Sequence, residues 1–148
     1  MRRVQTIADY QFGEFVGTSL FPDECEFILS TTGRIRQILL DGTRLATIRA
    51  QDGRLTLGIE GARRLHTALP APHYRVVIRD DVADFVAQGK NAFAKHIVST
   101  DASIRSGDEV LVVSSGDQLV ACGMAMLSGK EMLAFNYGVA VKVRQGSA

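Results

Sequence analysis

The residues best equipped to hold a ligand lie close together, in the run Gly89-Lys90-Asn91-Ala92-Phe93-Ala94-Lys95. A lysine offers a point charge to phosphate oxygens. An aromatic ring offers a face to a base, and a glycine lets a ligand backbone approach with no Cβ in the way. That is the chemistry of nucleic-acid contact. The competing structural reading is a helix C-cap at Gly89 followed by a core aromatic at Phe93, and Phe93 is divided evenly between the two. Alternation along a strand puts Phe93 and Lys95 on one face and His96 on the other, so Lys95 is taken as the strand's contacting cation. A lone histidine such as His96 is more often structural. Arg34 and Arg36 flank Ile35 and would share one face of another strand, either as solvated surface or as a continued charged track.

Other chemistries fail on spacing. Asp80-Asp81 and Asp108-Glu109 are adjacent pairs near element starts, suited to capping and solubility. Ser19, Ser114 and Ser115 have no G-x-S-x-G elbow around them, and neither a Walker loop nor a dinucleotide fingerprint is present. Cys25 and Cys122 stand 97 positions apart with no C-x-x-C, and read as reduced, packed thiols. Met124, Met126 and Met132 read as core or interface filler. No catalytic constellation, metal site or cofactor site is expected.

Composition sets the bounds. With 148 residues, 46% hydrophobic and 22% charged, the chain is a folded one with room for one ordinary domain or two small ones. Its apolar runs are short, Val110 to Val113 for example, against the roughly 20 residues that span a bilayer, so no membrane partner is expected. Met1-Arg2-Arg3 is basic but no apolar segment follows, and a cytoplasmic protein is expected. The formal net charge is only +1, so any nucleic-acid site must be a local patch.

The elements that must position these residues fall into two halves. Leu69-Pro70-Ala71-Pro72-His73 stops a helix and forces an extended connection, giving domains 1–72 and 73–148. The first half reads as an α+β unit. Strands at 26–29, 35–39, 45–48 and 55–57 are separated by turn signals at Thr32-Gly33, Asp41-Gly42 and Asp52-Gly53, and a helix follows over 60–69. The second half predicts a strand at 75–78 and a helix from Asp80-Asp81 to Ala87 with Val82, Phe85 and Val86 buried. Strands follow at 93–98, 109–114, 119–126 and 138–144, with a short helix or turn at 129–135. Such a rhythm suggests a small, partly closed β-barrel with a helix across one opening.

At this level the sequence resembles a known family. Gly89 to Lys95, then Ile104-Arg105-Ser106-Gly107-Asp108-Glu109-Val110, Gly123, and Gly138-Val139-Ala140-Val141-Lys142-Val143 resemble the PUA domain of pseudouridine synthases and archaeosine transglycosylases. Thr32 to Arg36, Leu45 to Arg49, and Asp52-Gly53 through Gly61 to Leu65 are similar to the segment that precedes PUA in archaeal tRNA-guanine transglycosylases. The resemblance implies an archaeal source and an α+β domain followed by a β pseudo-barrel with a glycine-bearing loop beside an RNA groove. It implies an RNA-binding surface at Gly89, Lys90, Asn91, Phe93 and Lys95, with Arg34 and Arg36 as an extension, and tRNA as the first RNA to test. Those enzymes carry their chemistry in a large barrel with a catalytic aspartate pair and a zinc held by three cysteines and a histidine. This chain is too short for that barrel and has two cysteines. The expectation is therefore a non-catalytic RNA-binding protein, with an accessory subunit acting in trans beside a separate catalytic chain as the alternative.

Overall fold

The computed structural model describes residues 1–148 and divides into two compact units, Met1–Leu69 and Pro70–Ala148. In the first, α1 (Arg2–Phe12) buries Val4, Ala8 and Phe12, one residue per turn along a single stripe. A short α2 (Val16–Leu20) packs against α1, and the main-chain N–H of Gly17 donates to Asp9 Oδ1 at 2.6 Å. Four strands follow as an antiparallel meander in sequence order: β1 (Glu26–Leu29), β2 (Ile35–Leu40), β3 (Thr43–Ile48) and β4 (Leu55–Leu57). Asp41 and Gly42 both have positive φ, 51° and 80°, as the tight hairpin between β2 and β3 requires. One row across the sheet, Phe27, Ile38, Ala46 and Leu57, points toward the core. Packed on β3, α3 (Ile59–Ala68) buries Ala62 and Leu65. Gln11 of α1 clamps β4 by donating to the Leu55 carbonyl at 2.9 Å and accepting its N–H at 2.8 Å.

The second unit begins with β5 (Arg75–Ile78), a 3₁₀ turn over Asp80–Val82, and α4 (Ala83–Ala87). Next come β6 (Ala92–Phe93), a 3₁₀ turn over Ala94–His96, and β7 (Ile97–Thr100). The unit closes with β8 (Glu109–Val113), β9 (Leu119–Ala125), α5 (Gly129–Ala134) and β10 (Val139–Gly146). The sheet order is β6-β10-β9-β8-β5-β7, with only the β5–β8 pair parallel. The two edge strands, β6 and β7, are consecutive in sequence and joined by the three residues of a 3₁₀ turn, so the sheet is drawn round toward closure. Its interior is filled by Val76, Ile78, Val110, Val112, Ala121 and Val141, with Val86 of α4 and Met132 of α5 plugging it.

The α+β unit followed by a near-closed barrel is the expected architecture, with three local corrections. The strand expected at 93–98 is two strands split by the 3₁₀ turn, because the chain must bend there to pass from one sheet edge to the other. Phe85, expected in the buried face of its helix, is 64% exposed; α4 has five residues, little more than one turn, and buries only Val86. Glu109, read as solubilising, is 3% exposed. Its carboxylate accepts two bonds from Arg144, each 2.6 Å, in a fork-on-fork pair.

Candidate nucleic-acid interface

The predicted cluster sits where α4 hands over to β6. Gln88 closes α4, and Gly89 follows with φ +104°, a conformation L side chains rarely adopt. The Gly89 N–H donates to the Val86 carbonyl at 2.9 Å and the Lys90 N–H to the Phe85 carbonyl at 3.3 Å, so the turn is fully tied to the helix. A Cβ built on Gly89 meets nothing within 4 Å. The outer side of the turn is therefore open, and the restriction on residue 89 is conformational rather than one of space. The chain's end braces the same turn from behind: the Ala148 N–H donates to the Ala87 carbonyl at 3.0 Å.

Lys90 is exposed at the tip of this turn. Phe93 is 39% exposed at the end of β6, and Lys95 is exposed in the 3₁₀ turn, while Ala92 and Ala94 between them are buried. The four residues Gly89, Lys90, Phe93 and Lys95 thus all reach solvent within one loop-and-edge segment. Phe93 and Lys95 do not owe this to strand alternation, as the sequence reading supposed. Only Phe93 is in a strand, and the burial of Ala94 in the 3₁₀ turn turns its neighbours outward.

Asn91 is placed differently. Its Oδ1 accepts the Val143 N–H at 3.0 Å, which commits one end of its side chain to β10. His96 lies with its ring edge against Phe93, centroids 5.8 Å apart and planes at 86°. Its Nδ1 is buried without a hydrogen-bond partner. Burial holds the imidazole below its ordinary pKa, and the nearby Lys95 and Arg79 charges push the same way against Asp81.

Arg34 and Arg36 belong to the other unit and are both exposed. Arg34 precedes β2, and its N–H donates to Ser30 Oγ at 3.2 Å. The β1–β2 pairing shifts register so that Ile28 faces Gln37 and Leu29 faces Ile35, leaving Arg36 as the extra residue of a bulge. Simple alternation does not relate these two side chains. The same unit has an open cleft of about 700 Å³ between the β2–β3 hairpin and α3. Its arginines are already engaged: Arg63 pairs with Glu60 at 3.1 Å, and Arg64 donates to the Ser19 and Leu20 carbonyls.

Sequence reasoning missed an aromatic pair beside β10. Phe135 and Tyr137 are nearly parallel, 11° apart with centroids at 6.1 Å. Two aromatics flanking a single residue just before Gly138 were the available signal. No three His, Cys, Asp or Glu residues are grouped to hold a metal ion, and no helix is long and apolar enough to cross a membrane.

Comparison with known proteins places this geometry in a family. Residues 2–72 match the patch-forming domain C2 of tRNA-guanine transglycosylase, and residues 74–146 match the PUA domain. The tRNA-guanine(15) transglycosylase of Pyrococcus abyssi is 51% identical over 146 residues, which is 99% of this chain and 25% of the relative. The chain thus spans about a quarter of the length of the curated relatives it matches, their C-terminal part. Among solved structures, a hypothetical protein of Pyrococcus horikoshii superposes with a TM-score of 0.75 at 23% identity, covering 99% of this chain and 89% of that one. An H/ACA ribonucleoprotein bound to a substrate RNA superposes with a TM-score of 0.51 at 32% identity, covering 57% of this chain and 26% of that one. With a C2 domain followed by a PUA domain along nearly its whole length, the chain belongs to the PUA-domain proteins and corresponds to the C-terminal part of archaeal tRNA-guanine transglycosylases.

Proposed function

We propose that this chain is a non-catalytic, cytoplasmic RNA-binding protein that takes a structured RNA, tRNA first, along the Gly89 turn and the β6 edge. The observation that carries the reading is the turn itself. On a PUA domain, an open positive-φ glycine is followed by an exposed lysine, an exposed aromatic and a second exposed lysine within seven residues. Lys90 and Lys95 neutralise phosphates, Phe93 offers a stacking face, and Gly89 leaves the backbone approachable. Asn91 contributes by fixing the strand behind the turn through its Oδ1, with its amide NH2 as a donor to RNA. Arg34 and Arg36, exposed in the first unit, are further cations for RNA. The two domains, 1–72 and 73–148, are joined near Pro70 to Pro72, and limited proteolysis of the full chain cuts in this linker or nowhere.

A titration of tRNA at two salt concentrations tests this. Lys90→Ala and Lys95→Ala each weaken binding and each reduce the salt slope by about one unit, with unchanged melting curves. Wild-type affinity and slope in both variants would remove the track from Lys90 and Lys95.

A second reading is favoured by the 51% identity to part of a longer enzyme. The chain then acts in trans, supplying tRNA to a separate tRNA-guanine transglycosylase catalytic chain. By itself it exchanges no base in tRNA. Mixed with such a catalytic chain it lowers the KM for tRNA.

A further inference from the structure

The two edges of the first unit's sheet are finished differently. At β4 the Gln11 side chain donates to the Leu55 carbonyl at 2.9 Å and accepts the Leu55 N–H at 2.8 Å, as a further strand would. α1 and α3 also lie against β4. At the opposite edge β1 has only β2 for a close neighbour. Alternate residues of an edge strand aim their N–H and C=O away from the sheet, so part of the β1 main chain faces outward without a ladder partner. Ile28 and Leu29 on this strand are 46% and 55% exposed. No proline or lysine interrupts Glu26–Leu29, and the extra residue of the bulge, Arg36, is on β2, so β1 itself runs unbroken. Glu26 is the one charge on the strand.

The charges around β1 are sorted along it. Asp23, Glu24 and Glu26, all exposed, stand at its start. Arg34 and Arg36, also exposed, stand at its end: the Ser30 N–H donates to the Arg34 carbonyl at 2.7 Å, and Leu29 faces Ile35. None of the five is in an ion pair within the chain. We propose that β1 is a pairing edge for a second copy of this chain, whose β1 runs antiparallel to it and joins the two four-stranded sheets into one. A two-fold axis normal to the sheet near Ile28 sets the acidic end of each strand beside the basic end of the other, whereas parallel pairing sets like charges together. Strands lie about 4.8 Å apart, so β2 of the second copy is about 10 Å from β1, within the combined reach of a glutamate and an arginine. The complementarity is between the chain and itself, and this favours a second copy over an unrelated partner. Four residues a side make a small interface, so the pairing is a concentration-dependent equilibrium. The inference does not rest on the RNA-binding reading. Arg34 and Arg36 meet the second copy's carboxylates in the dimer and are available to RNA in the monomer.

Sedimentation of the RNA-free full chain over a range of concentrations tests this, with Glu26→Arg and Arg36→Glu as variants and melting curves as the folding control. Wild type dimerises as its concentration rises. Each variant alone sets like charges against each other and raises the dimer dissociation constant by at least about tenfold. An equimolar mixture of the two variants restores the dimer, because the two arginines of one copy then face the two glutamates of the other. A variant that had merely lost its fold cannot give that restoration. Wild type that stays monomeric at every concentration overturns the proposal and leaves the edge to a strand of another protein. Equal dimerisation of wild type and both variants places the contact on another surface and also overturns it. Variants that are monomeric alone and remain so when mixed overturn the antiparallel pairing.

Discussion

The side-chain oxygen of Asn91 accepts the main-chain N–H of Val143 at 3.0 Å, joining positions 52 residues apart in sequence. β6 contains only Ala92 and Phe93, so its own backbone cannot extend the ladder along β10. Asn91 takes over with its side chain, satisfying a donor just before the β10 register shifts between Val143 and Gln145. The loop carrying Lys90 is thereby fastened to the sheet.

The first prediction follows from that bond. Asn91→Ala leaves the Val143 N–H without its partner and lowers stability by about 1–2 kcal/mol. Asn91→Asp keeps the acceptor and costs less. Urea denaturation of the three proteins measures this. A midpoint for Asn91→Ala equal to wild type would show that water replaces the side chain without cost.

The buried carboxylate sets the second. Arg144 is the extra residue at the β10 bulge, and from there its guanidinium reaches Glu109 on β8 across the intervening β9. Glu109 is almost wholly enclosed and Arg144 partly exposed. Arg144→Met strands a buried charge and destabilises by roughly 3 kcal/mol, whereas Arg144→Met with Glu109→Met recovers most of the loss. Thermal melts of the single and double variants form the cycle. An additive double variant would mean that the pair does not couple.

The elements legible in the sequence are those bounded by backbone chemistry. Asp41-Gly42 announced the β2–β3 hairpin because both residue types tolerate positive φ, and Pro70 and Pro72 announced the end of the helix before them because proline fixes φ and removes an N–H donor. α1 and α2 carried no such marks. Neither helix has a side-chain cap, and α2 begins after Phe15 at φ +68°, so only the Val4-Ala8-Phe12 stripe could have signalled the first of them. The Gly89 turn was legible for the same reason as the hairpins. The split of the strand at Ala94 was not, because it comes from closing a six-stranded sheet, a constraint that sequence neighbours do not express. Glu109 was misjudged, and the bond that Asn91 makes was not legible either: their partners, Arg144 and Val143, are brought to them only by the ladder of β10.

Third, the cysteines are inert in the folded protein. Burial pushes the Cys122 thiol up to about 12, with Arg144 pulling against it, and burial likewise raises Cys25 against the Arg64 charge. The thiolate is the reacting species, so a thiol reagent at neutral pH labels neither residue in the native state and both in denaturant. Labelling of Cys122 in the native protein would contradict the enclosed core around β9, and labelling of Cys25 would contradict its burial in the first unit.

The last prediction uses His96 as a reporter of the Lys95 position. Its native pKa lies below the ordinary 6.5, first through burial and then through Lys95 and Arg79, with Asp81 opposing. Below 6.5 the unfolded chain binds a proton here more readily than the native state does. The stability contributed by the neutral imidazole is therefore complete above 6.5 and is lost as pH falls through the lower native value. An NMR titration of the ring reads that native value directly. Lys95→Ala removes a like charge and moves it up; Asp81→Asn removes the opposing one and moves it down. If RNA places a phosphate against Lys95, the added negative charge favours the imidazolium, and the His96 pKa rises on binding. The same RNA then gives no rise in Lys95→Ala if that lysine is what holds the phosphate. A rise of equal size with and without Lys95 would place the phosphate elsewhere along the track, with Lys90 and the exposed arginines as the cations left to hold it.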